Sequence, residues 1–84
     1  MSTIDYRKLR SVKARDLINA LLKDGFKLDR QRGSHRHYYH VDGRHVTVSA
    51  HSLAATFPPK TLKVIIEDQA KWTESDLQRL NLLK

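Results

Sequence analysis

The chain has 84 residues, 39% apolar and 30% charged, and its sixteen Lys and Arg against nine Asp and Glu give a net charge of +7, which describes one small basic domain over residues 1–84. No cysteine is present, which excludes a disulfide framework and thiolate metal sites, and so short a chain cannot enclose a deep multi-domain cleft. No apolar run approaches the ~20 residues of a membrane span and residues 1–10 lack a signal-peptide core, so a cytoplasmic protein with no membrane partner is expected.

Residues 1–10 read as a basic N-terminal extension, and residues 11–84 as the domain core with its C-terminal helix. Ala14, Leu17, Ile18, Leu21 and Leu22 fall on one stripe of an amphipathic helix, expected over Val12–Asp24, with Ser11 as N-cap and Gly25 closing its end. From Phe26 the apolar period changes to two, as in a half-buried strand, and Gly33-Ser34 marks a turn. A hairpin follows: strand His35–Val41, a two-residue Asp42-Gly43 turn, and strand Arg44–Ser49. Pro58-Pro59 then introduces a helix over Lys60–Lys71, with Leu62, Ile65, Ile66 and Gln69 on one face. Thr73 with Asp76 resembles a capping box, and Trp72 with Leu77 a hydrophobic staple, for a last helix over Glu74–Leu83. The order is αβββα plus a C-terminal helix, an α+β layer in which helices cover one face of a three-stranded antiparallel sheet. The uncovered face is free to meet a partner.

The charge is uneven along the chain. Met1–Arg44 carries eleven basic and five acidic residues, a net +6, whereas His45–Lys84 carries five and four, a net +1. A polyanion would therefore meet the first half, and nucleic acid is the commonest such partner. Lys13, Arg15, Arg30, Arg32 and Arg36 are the expected RNA contacts. An acidic protein, or water alone, suits the same surface.

All five histidines lie between His35 and His51. A two-residue turn sets Val41 opposite Arg44, Tyr39 opposite Val46, His37 opposite Val48 and His35 opposite Ala50, with His40 facing His45 on the other side. Val46, Val48, Tyr39 and His37 then point toward the helices, while Arg36, Tyr38 and His40 lie outside. His37 is expected as a hydrogen-bonded core or near-core histidine rather than a chemical one, and His40 and His45 as solvated residues within reach of a phosphate. His35 sits just past a Gly-Ser turn, beside Arg32 and Arg36, and this register brings His51 near it. Two imidazoles among guanidinium groups suit ribonuclease chemistry, one as general base and the other as general acid, with the arginines on the phosphate. That scheme requires neither metal nor other cofactor. His35, His37 and His51 also have the residue type for a metal site, but no Asp, Glu or Cys completes the group and two arginines oppose a cation. A turn-proximal Gly-Ser-His is common by chance, so spacing alone leaves a purely structural role open as well.

The first helix ending in Lys23-Asp24-Gly25-Phe26, the run Arg30-Gln31-Arg32-Gly33-Ser34-His35, then Asp42-Gly43-Arg44, Val46-Thr47-Val48, His51 and Thr61-Leu62-Lys63-Val64-Ile65-Ile66 follow one another in a telling order. From about Val12 to Leu83 this arrangement resembles the HicA (YcfA-like) family of small mRNA interferases, toxins of type II toxin–antitoxin systems. The resemblance implies a fold similar to a double-stranded-RNA-binding domain and ribosome-independent cleavage of mRNA. It also implies a HicB-like antitoxin that covers the site. His35 matches the family's catalytic histidine, and His51 a recurrent family histidine. The alternative is a non-catalytic RNA-binding module of the same fold, which would bind through shape, phosphates and 2′-hydroxyls.

Overall fold

In the computed structural model, which describes residues 4–83, a 3-10 turn at Tyr6–Leu9 leads into helix α1, Ala14–Lys23. Ser11 does not cap α1. The N-cap residue is Lys13, whose N–H donates to the Asp16 carboxylate at 2.9 Å. The first free helical amides, of Ala14 and Arg15, donate to the carbonyls of Ala55 and Leu53 at 2.8 and 3.0 Å. A helix start needs acceptors for its free N–H groups, and here the distant Leu53–Ala55 segment supplies two of them, so a Ser11 cap is not needed. At the other end Gly25 takes φ +99°, with Phe26 N–H on Leu21 O at 2.9 Å and Gly25 N–H on Leu22 O at 3.1 Å, the paired bonds that close a helix on a left-handed residue.

Strands β1 (Lys27–Arg32), β2 (His35–Tyr39) and β3 (His45–Ser49) form an antiparallel sheet in the order β1-β2-β3. A bulge between Leu28 and Arg30 shifts the β1 register, and Leu28, opposite Tyr38, is half exposed. Between β2 and β3 the partners are His35 with Ser49, Arg36 with Val48, His37 with Thr47, Tyr38 with Val46 and Tyr39 with His45. This is one residue away from the register that a two-residue turn imposes. His40 N–H donates to Arg44 O and Gly43 N–H to His40 O, each at 2.9 Å, so the loop is Val41-Asp42-Gly43 with Gly43 at φ +98°. A three-residue loop of this kind accepts the same Asp-Gly pair as a two-residue turn.

A one-residue slip exchanges the faces of a strand. Tyr38, Val46 and Val48 are the buried residues, so Arg36 and Tyr38 lie on the helix side and His35, His37 and Tyr39 on the open side, the reverse of expectation. His37 is not a core residue; it hydrogen-bonds Thr47 Oγ1 at 3.1 Å on the open face. His40 is not a solvated one; its Nε2 lies 2.9 Å from Asp24 O and its ring packs edge-on against Phe26.

Helix α2 spans only Pro59–Lys63 and continues as a π-helical turn over Val64–Gln69, where an unbroken α-helix over Lys60–Lys71 was expected. Ala70 N–H reaches Ile65 O and Trp72 N–H reaches Ile66 O, both at 2.8 Å. The wider turn keeps Ile65 and Ile66 both buried and delivers the Gln69 side chain to the free edge of β3, where its Oε1 accepts from Thr47 N–H at 3.0 Å. Helix α3, Glu74–Arg79, has the expected cap: Thr73 N–H donates to Asp76 Oδ2 at 2.9 Å and Asp76 N–H to Thr73 Oγ1 at 3.2 Å. It stops before Leu83 because Asn81 adopts φ +63° and Leu82 N–H closes on Leu77 O at 2.9 Å, turning Leu80 and Leu82 into the core. The described part of the 1–10 extension is packed: Leu9 is buried and the Tyr6 hydroxyl donates to Glu67, while residues 1–3 lie outside the described residues.

Candidate functional site

The β1–β2 turn places His35. Gly33 takes φ +58°, a left-handed conformation with open space around it, and Ser34 O accepts the Ala50 N–H at 3.1 Å. That bond ties the turn to the segment carrying His51. His35 stands opposite Arg32 on one side and Ser49 on the other, which puts all three on the open face of the sheet. Both His35 and His51 are exposed.

The five histidines divide by what holds them. His37 is held by Thr47, His40 by Asp24 O and the Asp42 N–H at 3.1 Å, and His45 by an edge-on contact with Tyr39 at 4.7 Å between ring centres. Among the described residues, no side chain or backbone group engages the rings of His35 and His51. An imidazole that exchanges protons with a substrate must be reachable and not committed elsewhere. These two meet that condition.

The expected cationic residues separate likewise. Arg30, opposite His37, and Arg32, opposite His35, are exposed on the open face. Arg36 is opposite Val48 on the helix side, where its Nη1 is buried with no hydrogen-bond partner among the described residues. Lys13 and Arg15 sit at the start of α1 against the loop after His51, with Lys13 bridged to Thr56. Sequence reasoning passed over Lys27 and set Tyr39 on the helix side, whereas Lys27, Tyr39 and His45 form another open-face row. Strand periodicity contained that signal, but only in the correct register.

It also passed over Asp24, read only as part of a helix end. Its side chain is 8% exposed and receives Arg79 Nη2 at 2.7 Å, the Trp72 indole N–H at 2.8 Å and Arg44 Nη1 at 3.2 Å. Burial pushes its acidity the other way, but the indole and the two guanidinium groups outweigh burial and hold the carboxyl below its ordinary value. This cluster anchors structure rather than chemistry, since both carboxylate oxygens of Asp24 are held by these donors.

Among the described residues no group of three His, Asp or Glu side chains is placed to hold a metal ion, and no helix is long and apolar enough to cross a membrane. No curated protein matches the chain at a significant level. The family described as HicA toxin of bacterial toxin-antitoxin matches residues 14–72, from the first residue of α1 through the sheet and the π turn to Trp72. With its helix–three-strand–helix order and its exposed Gly33-Ser34-His35 turn inside the matched span, the chain belongs to the HicA toxin family, and it is the toxin of a toxin–antitoxin pair whose partner is an antitoxin.

Proposed function

We propose that this toxin is a metal-independent, ribosome-independent endoribonuclease of cytoplasmic mRNA, with His35 as a general acid or base and His51 as the second proton-transfer group. The observation that carries the reading is that His35 and His51 are exposed and uncommitted while His37, His40 and His45 are held by neighbours. One imidazole takes the proton of a ribose 2′-hydroxyl as that oxygen attacks phosphorus. The bond from phosphorus to the 5′-oxygen breaks, and the other, protonated imidazole supplies the leaving oxygen with its proton. The products are a 2′,3′-cyclic phosphate and a 5′-hydroxyl. Arg32, beside His35 in the same cross-strand row, offsets the charge that builds on the phosphoryl oxygens. A HicB-like antitoxin would neutralise the toxin by covering this exposed row.

The test is cleavage of an end-labelled single-stranded RNA in EDTA by wild type and by His35→Ala. Removing a general acid or base should slow cleavage by about 10²- to 10⁴-fold. The circular dichroism spectrum should be unchanged, because the His35 side chain packs against nothing in the core. Undiminished cleavage by a folded His35→Ala variant would reject the assignment, and binding with no turnover by wild type would leave a binding module.

A further inference from the structure

Residues directly opposite one another in a sheet share a face, so the observed register writes out the open face in three rows: Lys27–Tyr39–His45, Arg30–His37–Thr47 and Arg32–His35–Ser49. Down the strands, β1 contributes only cations, β2 a phenol and two imidazoles, and β3 an imidazole and two hydroxyls. No carboxylate stands in any row; Asp29 falls in the β1 bulge, outside the register. β1 is also a free edge of the sheet, so its cations are approachable from the side.

We propose that this open face is a track for single-stranded RNA, with the phosphate backbone following the cationic β1 edge and a base stacked on Tyr39. Tyr39 is 43% exposed, and the His45 ring packs edge-on with it at an interplanar angle of 70°, which restrains the phenol while leaving it reachable. An aromatic face presented beside a line of cations is the arrangement that binds unpaired nucleotides, because every base has a face to stack and every nucleotide a charge. A duplex keeps its bases stacked on each other and offers none to Tyr39. An acidic protein would use the cations but leaves the phenol row without a purpose. Tyr39 lies four residues along β2 from His35, about 13 Å. The stacked base is therefore not the one whose 2′-oxygen reacts, and its binding positions the scissile phosphate from a distance. Lys13, Arg15 and Arg36 lie off the three rows, so the track differs from the contact set that charge alone suggests.

The position of the reacting phosphate rests on the nuclease reading, but the track is tested by binding. A fluorescein-labelled, fully 2′-O-methylated single strand cannot be cleaved through its 2′-oxygen, so anisotropy titration in EDTA reads affinity whether or not the chain is a nuclease. Tyr39→Ala should weaken binding about tenfold or more, and Tyr39→Phe, which keeps the ring, should not. Lys27→Ala should weaken binding and lower the slope of log affinity against log salt by about 0.7. Lys63→Ala, an exposed lysine at the end of α2, should bind as wild type does. Thermal melts of each variant separate lost binding from lost folding. Unchanged affinity in Tyr39→Ala, equal loss in Lys63→Ala and Lys27→Ala, or no binding by wild type would each overturn the track and leave the face to an acidic protein. The expected binding pattern without cleavage of unmodified RNA would instead sink the nuclease reading alone.

Discussion

Gly25 shows how a single position can couple a helix end to a hairpin. Its φ of +99° suits glycine, and a Cβ placed there would stand 3.0 Å from His40 Nε2. Gly43 has almost the same φ, +98°, but a Cβ on it would meet nothing within 4 Å. The pair therefore separates backbone strain from crowding. Both Gly25→Ala and Gly43→Ala should lower stability in urea denaturation by more than about 1 kcal/mol for the left-handed conformation. Gly25→Ala should lose more, because it also displaces the His40 ring from Asp24 O and Phe26. Equal losses would show that the His40 contact contributes nothing. Sequence reasoning placed Gly25 correctly from helix-ending chemistry, which is local. It could not see His40 across from it, because that contact depends on which face of the hairpin His40 occupies.

Among the elements, α3 is the one whose limits depend most on local side chains. Thr73 and Asp76 exchange hydrogen bonds across its first turn, and Trp72 and Leu77 are both buried beside them. Thr73→Ala should cost about 1 kcal/mol, measured by urea midpoint, with the sheet and His35 untouched. A loss near zero would mean that packing of Leu77 and Leu80 alone holds the helix. The start of α1 behaves oppositely: its free amides are met by Leu53 and Ala55 carbonyls, so Ser11→Ala should be nearly neutral despite its cap-like position. The π turn was illegible for a related reason. Apolar spacing in Leu62, Ile65 and Ile66 fits either helix type, and the wider form shows only in what Gln69 and Trp72 reach.

Across the whole molecule, Asp24 joins the end of α1 to the hairpin through Arg44, to α3 through Arg79, and to the segment between them through Trp72. Arg44 also lies over the Phe26 ring, 4.8 Å from its centre, and donates to Ala70 O at 2.6 Å. Asp24→Asn should therefore destabilise the fold by about 2–3 kcal/mol, since it removes the charge that these donors share. The pH dependence follows from the same group. Burial favours its protonated form, but the indole and guanidinium donors prevail and depress its folded pKa below 3.8. A depressed carboxylate contributes stability that is fully present above its unfolded pKa and is lost as pH falls through the folded value. Asp76, held low chiefly by the Thr73 backbone N–H, works in the same direction. Urea midpoints should thus fall below about pH 4 in wild type, and the fall should be shallower in Asp24→Asn. An identical pH profile for the two would remove Asp24 as the source.

The order of elements, the cap of α3, the glycine that ends α1, and the cationic, histidine-rich character of the sheet were all decided by the sequence, because each rests on local backbone chemistry or on composition. His35 at a Gly-Ser turn was legible for the same reason. Which side of the sheet the β2 residues face was decided by the tertiary structure. Asp42-Gly43 fits a two-residue or a three-residue loop equally well, and the two differ by one residue in register, which inverts both faces. Burying Tyr38 with Val46 and Val48, and docking His40 on Asp24 and Phe26, select the three-residue loop. That choice sets His35 in line with Arg32, Arg30, Lys27 and Tyr39, and carries Arg36 to the other side. Long-range packing makes the selection, and no window of sequence around the turn contains it.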